Sequence, residues 1–117
     1  SSQWDKGKGC DTFGPIGPWM VTPDELPPGG TNLKIRCLLN GQVLQDANTS
    51  DMLFPVDETV ELATECLTLE PGDLLVMGTP SGVGWARKPP IFMKDGDICE
   101  IDIEKVGVLR NPIKDEK

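Results

Sequence analysis

The sequence predicts a mainly β chain with one short helix, and three observations carry that reading. Thirteen glycines and eleven prolines among 117 residues exceed an average share and favour tight turns between short strands. Two segments alternate with a period of two, and one of them runs into Asn-Gly. Only one segment keeps a helical period, and no βαβ alternation argues for a doubly wound sheet.

The clearest element is a hairpin. Leu33, Ile35, Cys37 and Leu39 alternate with Lys34, Arg36 and Leu38, as a half-buried strand should. Asn40-Gly41 is the preferred type I′ dipeptide, because both residues tolerate positive φ, and Gln42 to Asp46 reads as the returning strand. Asn48 to Asp51 is a polar loop. Phe54-Pro55 leads to Asp57 as a candidate N-cap, with Val60, Ala63, Cys66 and Leu67 on one face of a helix over about 57–67. Glu70-Pro71-Gly72-Asp73 is a turn, and Leu74 to Met77 has the unbroken apolarity of a buried strand. Lys94-Asp95-Gly96-Asp97 repeats that turn chemistry ahead of the strand 98–104, and 107–111 offers it a last hairpin arm. Residues 16–22 could form a short edge strand, and the glycine-rich stretch 1–15 reads as a loop.

Composition narrows the function. The composition is that of a soluble globular protein, and the formal net charge of −8 repels phosphate backbones, so nucleic acid is not expected as a partner. No window approaches the roughly 20 apolar residues of a membrane span, and residues 1–15 do not read as a signal peptide. Cys10, Cys37, Cys66 and Cys99 lie about thirty residues apart with no C-x-x-C pair, and histidine is absent. A zinc site is therefore not expected, and the four read as reduced thiols of a cytoplasmic protein, although the count alone permits two disulfides. Most of the turn aspartates, Asp46, Asp51, Asp57, Asp73, Asp95 and Asp97, read as turn formers, since no spacing forces them to converge on a cation.

Two segments could carry chemistry. MGTPSGVG (77–84) fits neither a dinucleotide fingerprint nor a P-loop. It is either an ordinary strand-exit turn or a backbone cradle whose free N–H groups meet a carboxylate or enolate oxygen. WDKGKGCDTFGP (4–15) sets Lys6 and Lys8 among glycines, ahead of Asp11 and Thr12. Those lysines are either surface charges or partners for an anion.

The ordered blocks KGKGCDTFGPIGPWMVT (6–22), LKIRCLLNGQVLQDANTSDMLF (33–54), TLEPGDLLVMGTPSGVG (68–84), KPPIFMKDGD (88–97) and VGVLRN (106–111) resemble the C-terminal half of the fumarylacetoacetate hydrolase family, over about Gln3 to Asn111. The KGKGCDTFGPIGP and RKPP forms look most like a bacterial branch of diketo-deoxy-sugar-acid hydrolases and hydroxyhepta-dienedioate isomerases. The resemblance implies a mixed β-roll or sandwich, incomplete here, with 1–117 as the C-terminal portion of one catalytic domain. It implies Mg²⁺ or Mn²⁺ in a full-length protein about twice this length. The family's Glu-x-Glu and Asp ligands, and its lid His–Glu pair, would lie upstream, so no metal is expected on this chain.

Residue by residue, the resemblance implies a catalytic Lys8 near metal and substrate oxygens, and Thr12 closing that loop near a second cation site. It implies Thr79 bonding the substrate's carboxylate or 2-oxo end, with Pro80, Ser81 and Gly82 shaping the pocket. The expected activity is C–C hydrolysis of a small acylpyruvate or β-diketo acid. Isomerisation or decarboxylation of a 2-oxo acid is the alternative, and a non-catalytic β-rich module is a third. The same reading expects a homodimer and an inactive 1–117 segment in isolation.

Overall fold

The computed structural model describes residues 3–116. Its centre is the expected hairpin. Strands β1 (Lys34–Leu39) and β2 (Gln42–Asn48) pair antiparallel around Asn40 and Gly41, at φ 51° and 79°. Both central residues have the positive φ that a type I′ turn demands. Asn40 then fixes the turn to the neighbouring strand: its side-chain amide donates to Asp97 Oδ1 at 2.8 Å, and its carbonyl oxygen accepts from the Ile98 N–H at 2.8 Å.

Strand β3 (Ile98–Ile103) adds to β1, and β4 (Gly107–Pro112) adds to β3, giving an open antiparallel sheet in the order β2-β1-β3-β4. The register places Ile35 opposite Ile103, Cys37 opposite Ile101 and Leu39 opposite Cys99, so one face is apolar. Arg36 with Asp102, and Arg110 with Glu100 at 3.3 Å, form ion pairs across strands at positions that alternate with that apolar set. This is the two-sided pattern that period-two alternation encodes.

Helix α1 (Trp4–Lys8) replaces part of the loop expected over 1–15, of which residues 1 and 2 lie outside the described residues. Gly7 and Gly9 donate backbone bonds to Gln3 and Asp5, and Lys8 Nζ sits 4.9 Å from the centroid of the Trp4 ring one turn earlier. That cation–π contact offsets part of the helix cost of glycine. Helix α2 (Val56–Thr64) is the expected one, three residues shorter at its end. Its N-cap is Pro55 rather than Asp57; Asp57 stands in the first turn, where a carboxylate favours the helix dipole.

Two expected strands do not form. Residues 16–22 join no ladder: Pro15 and Pro18 lack an N–H, and Trp19 turns its indole to the Val106 carbonyl at 2.5 Å. Leu74 to Met77 is not paired with any strand among the described residues, and Val76 is 85% exposed. It keeps a two-residue alternation in exposure, with Leu75 and Met77 partly covered. Apolarity alone marks this run as buried, but burial needs a partner strand. Among the described residues only Leu33 is buried, so the apolar sheet face is half-covered at most.

Candidate active site

The stretch 77–84 lies against β2, and a β-bulge positions it. Cys37 pairs with Gln45 and Leu38 with Val43, leaving Leu44 as the extra residue. A bulge re-aims the groups beside it. Here the Leu44 carbonyl accepts from Arg87 Nη2, while Arg87 Nε donates to the Gly82 carbonyl at 2.9 Å. One guanidinium therefore ties the bulge to the middle of the glycine-rich turn. The fork geometry of arginine suits two diverging carbonyls, which a lysine could not span. Gly82 has φ 101°, and a Cβ there would run into the Leu44 carbonyl, so only glycine fits.

Gln45 holds the other end of the turn. Its amide nitrogen donates to the Pro80 carbonyl at 2.6 Å and to Thr79 Oγ1 at 3.0 Å. Thr79, Pro80 and Gly78 line one wall of a cavity of about 190 Å³, with Gln45 and the sheet residues Ile35 and Ile101 among the others. The N–H groups of Gly78, Thr79, Ser81 and Gly82 find no protein acceptor among the described residues. Leu74 to Met77 share that property, so free N–H groups alone do not define the site. What distinguishes 78–82 is the two glycines at φ near 100° and a threonine whose hydroxyl oxygen is already engaged.

The structure therefore brings Thr79 and Pro80 to one cavity. Gly82 lines a second, more apolar cavity of about 290 Å³ with Leu44, Trp85 and Phe92, and Ser81 is exposed. Lys8 rests over Trp4, and Thr12 sits at φ 68° in the adjoining loop. No hydrogen bond or ion pair links either of them to 79–82 among the described residues. Gln45 and Arg87 escape a reading of the sequence alone. Gln45 looks like one more polar strand position, and nothing in WARKPP marks its arginine as a clamp.

All four cysteines are free thiols. Cys37 and Cys99 lie on the apolar face, and burial, reinforced by the Cys99 neighbour, pushes the Cys37 thiol up to about 11. A thiol so raised is a packing group rather than a nucleophile. No group of three or more Cys, Asp or Glu side chains converges to hold a metal ion among the described residues. These residues therefore do not by themselves fit the divalent cation that the resemblance implies.

Known proteins agree with the resemblance. The chain matches the family described as fumarylacetoacetate (FAA) hydrolase C-terminal over residues 1–114. It is 45% identical over 115 residues to a 2,4-didehydro-3-deoxy-L-rhamnonate hydrolase from Sphingomonas, covering 97% of this chain and 40% of that protein. It is also 45% identical over 111 residues to a mitochondrial oxaloacetate tautomerase from Rattus norvegicus, covering 95% and 35%. Among solved structures, a fumarylacetoacetate hydrolase from Exiguobacterium antarcticum superposes with a TM-score of 0.92 at 36% identity, over 98% of this chain and 41% of that one. A 2-hydroxyhepta-2,4-diene-1,7-dioate isomerase from Mycobacterium marinum gives 0.83 at 45% identity, over 97% and 40%. The chain thus spans two fifths or less of the curated relatives just named. With a matching profile along nearly all of its length and the same fold in solved relatives, the chain belongs to the fumarylacetoacetate hydrolase family.

Proposed function

We propose that this chain forms the acid-holding wall of an active site that cleaves a C–C bond in a small acylpyruvate or β-diketo acid. The observation that carries the reading is the Thr79 hydroxyl on the wall of the 190 Å³ cavity, next to Gly78 with its open backbone. A hydroxyl and unpartnered N–H groups suit a carboxylate or 2-oxo oxygen, and a ligand anchored there has its bond oriented before reaction. Lys8 is proposed to offset the negative charge that develops on the substrate, as a fixed cation can in a water-poor site.

A second reading is favoured by a specific finding: a tautomerase of oxaloacetate is as similar to this chain as a hydrolase is. Tautomerisation and C–C cleavage share an enolate, so the same wall serves either, and groups outside these residues would set the outcome. In both readings the full-length protein is a homodimer, and its Mg²⁺ or Mn²⁺, which would polarise the 2-oxo acid, is held by groups outside this chain.

The test is a steady-state assay of the full-length protein with Mg²⁺, against acylpyruvates and oxaloacetate. Thr79→Ala and Lys8→Ala are each expected to lower kcat/KM at least about tenfold, the lower end for loss of one preorganised group. Wild-type kcat/KM in both variants would refute the site.

A further inference from the structure

The hydrogen bonds around Gln45 close one direction to the Thr79 hydroxyl proton and leave it to point elsewhere. The Pro80 carbonyl can only accept, so the Gln45 group 2.6 Å from it must be the amide nitrogen. The amide oxygen is thereby turned away, and no flipped rotamer is compatible with that contact. The same nitrogen lies 3.0 Å from Thr79 Oγ1, and both of its hydrogens are donors. Thr79 Oγ1 therefore accepts from Gln45 and cannot give its own proton back. Among the described residues that hydroxyl proton has no protein acceptor, and Thr79 is exposed along the cavity wall.

We propose that Gln45 is a positioning residue that holds the Thr79 hydroxyl as an outward donor, so that the cavity selects an acceptor-only oxygen such as a carboxylate over a hydroxyl or amide donor. The proposal rests on the reading of Thr79 as a substrate contact and goes beyond it by naming what sets its polarity. A threonine free to rotate serves donors and acceptors alike. One that already accepts from an amide keeps its proton and a single lone pair, so donation to the ligand is favoured. The pin is itself held in place: Gln45 sits at the register position opposite Cys37, next to the bulge that Arg87 clamps through the Leu44 carbonyl.

Gln45→Glu reverses the polarity with almost no change in shape. The ionised carboxylate it introduces accepts the Thr79 proton and turns a lone pair toward the ligand. The experiment measures pyruvate binding by calorimetry, in the presence of Mg²⁺, to the full-length wild type, Gln45→Glu, Gln45→Met, Thr79→Val and a double variant. Gln45→Glu and Thr79→Val are each expected to weaken binding about tenfold or more, as for loss of a bond to a charged group. An introduced carboxylate also repels the anionic ligand directly, so the cycle is read on Gln45→Met, which removes the donor without adding charge. The Gln45→Met, Thr79→Val double variant should be no weaker than Thr79→Val, because the hydroxyl through which Gln45 acts is already gone.

Lowering the pH from about 7 to about 5 should recover part of the Gln45→Glu loss relative to wild type, since the introduced carboxyl can donate again once protonated while pyruvate stays ionised. Additive losses in the double variant would overturn the proposal and leave Thr79 as a substrate contact. Wild-type protein that binds no pyruvate, or Thr79→Val that binds it normally, would overturn the underlying reading and the proposal with it.

Discussion

Arg87→Met tests whether the cradle is built from behind. The guanidinium makes two charge-assisted hydrogen bonds, to the Gly82 carbonyl at 2.9 Å and to the Leu44 carbonyl, and both are partly buried. Bonds of this kind contribute about 1.5–3 kcal/mol each when well shielded. Partial exposure places these at the lower end, because water can reach the orphaned carbonyls. Methionine keeps the bulk of the stem, so packing losses are small. The expected loss is about 2–3 kcal/mol, a large share of the roughly 5–15 kcal/mol of a typical domain.

Urea unfolding of the full-length protein measures it, with the m-value checked for constancy. Arg87→Lys gives the control. A single ammonium can reach one carbonyl but not fork to both, so it should recover about half of the loss. Arg87→Met within about 0.5 kcal/mol of wild type would show that Gly82 and the bulge hold their geometry without the clamp. Lys equal to Met would show that the fork is not what matters.

Two further outcomes follow from titrating groups. The Cys37 thiol rises from 9.0 to about 11, so its thiolate fraction near neutral pH is about a hundredfold below that of an unperturbed thiol. Timed iodoacetamide labelling read by mass spectrometry should modify the exposed Cys10 and Cys66 well before Cys37, and equal rates would refute the burial of that thiol. Asp97 is lowered from 3.8, chiefly by the Asn40 amide and then by the Lys94 N–H. A depressed carboxylate contributes stability that is present above its unfolded pKa and lost as pH falls through the folded one. Stability should therefore drop below about pH 4, and Asp97→Asn should flatten that drop; an unchanged acid limb in Asp97→Asn would refute the role of the Asn40–Asp97 bond.

Local chemistry is the legible part of the fold. Asn40-Gly41 announces its turn because positive φ at two successive positions leaves few residue choices. The paired turns at 70–73 and 94–97 are readable for a similar reason. In each, an aspartate closes its own turn by accepting from an N–H three residues earlier, Asp73 from Glu70 and Asp97 from Lys94, both at 2.8 Å. Leu74 to Met77 misleads because four apolar residues specify what they avoid and not what they pair with. Helix α1 hides because its glycines argue against a helix, while the Trp4–Lys8 contact that favours it spans a single turn and leaves no period. The site divides the same way. Thr79 stands out through its glycine neighbours. Gln45 and Arg87 do not, because a bulge depends on which residue of one strand faces which of another, and sequence alone does not supply that register.

The two segments that the resemblance assigns to one active site are held by different means, and this orders their expected behaviour. The 78–82 turn is tied to β2 by two bonds from Gln45 and by Arg87, which bridges the Gly82 and Leu44 carbonyls. The segment that follows Lys8 and Thr12 meets the sheet at Trp19, whose indole bonds the Val106 carbonyl and whose ring lies over Gly107, 2.7 Å from where a Cβ would stand. Trp19 is itself 60% exposed, so that tether is open to solvent. Exposed contacts with few buried neighbours open at lower free energy than clamped ones. The turn proposed as the acid-holding wall is thus clamped to its own strand, whereas the lysine-bearing segment rests on a solvent-open tether. Under the proposed roles, loss of the Gln45 and Arg87 bonds should therefore disturb ligand orientation more than loss of the Trp19 tether does.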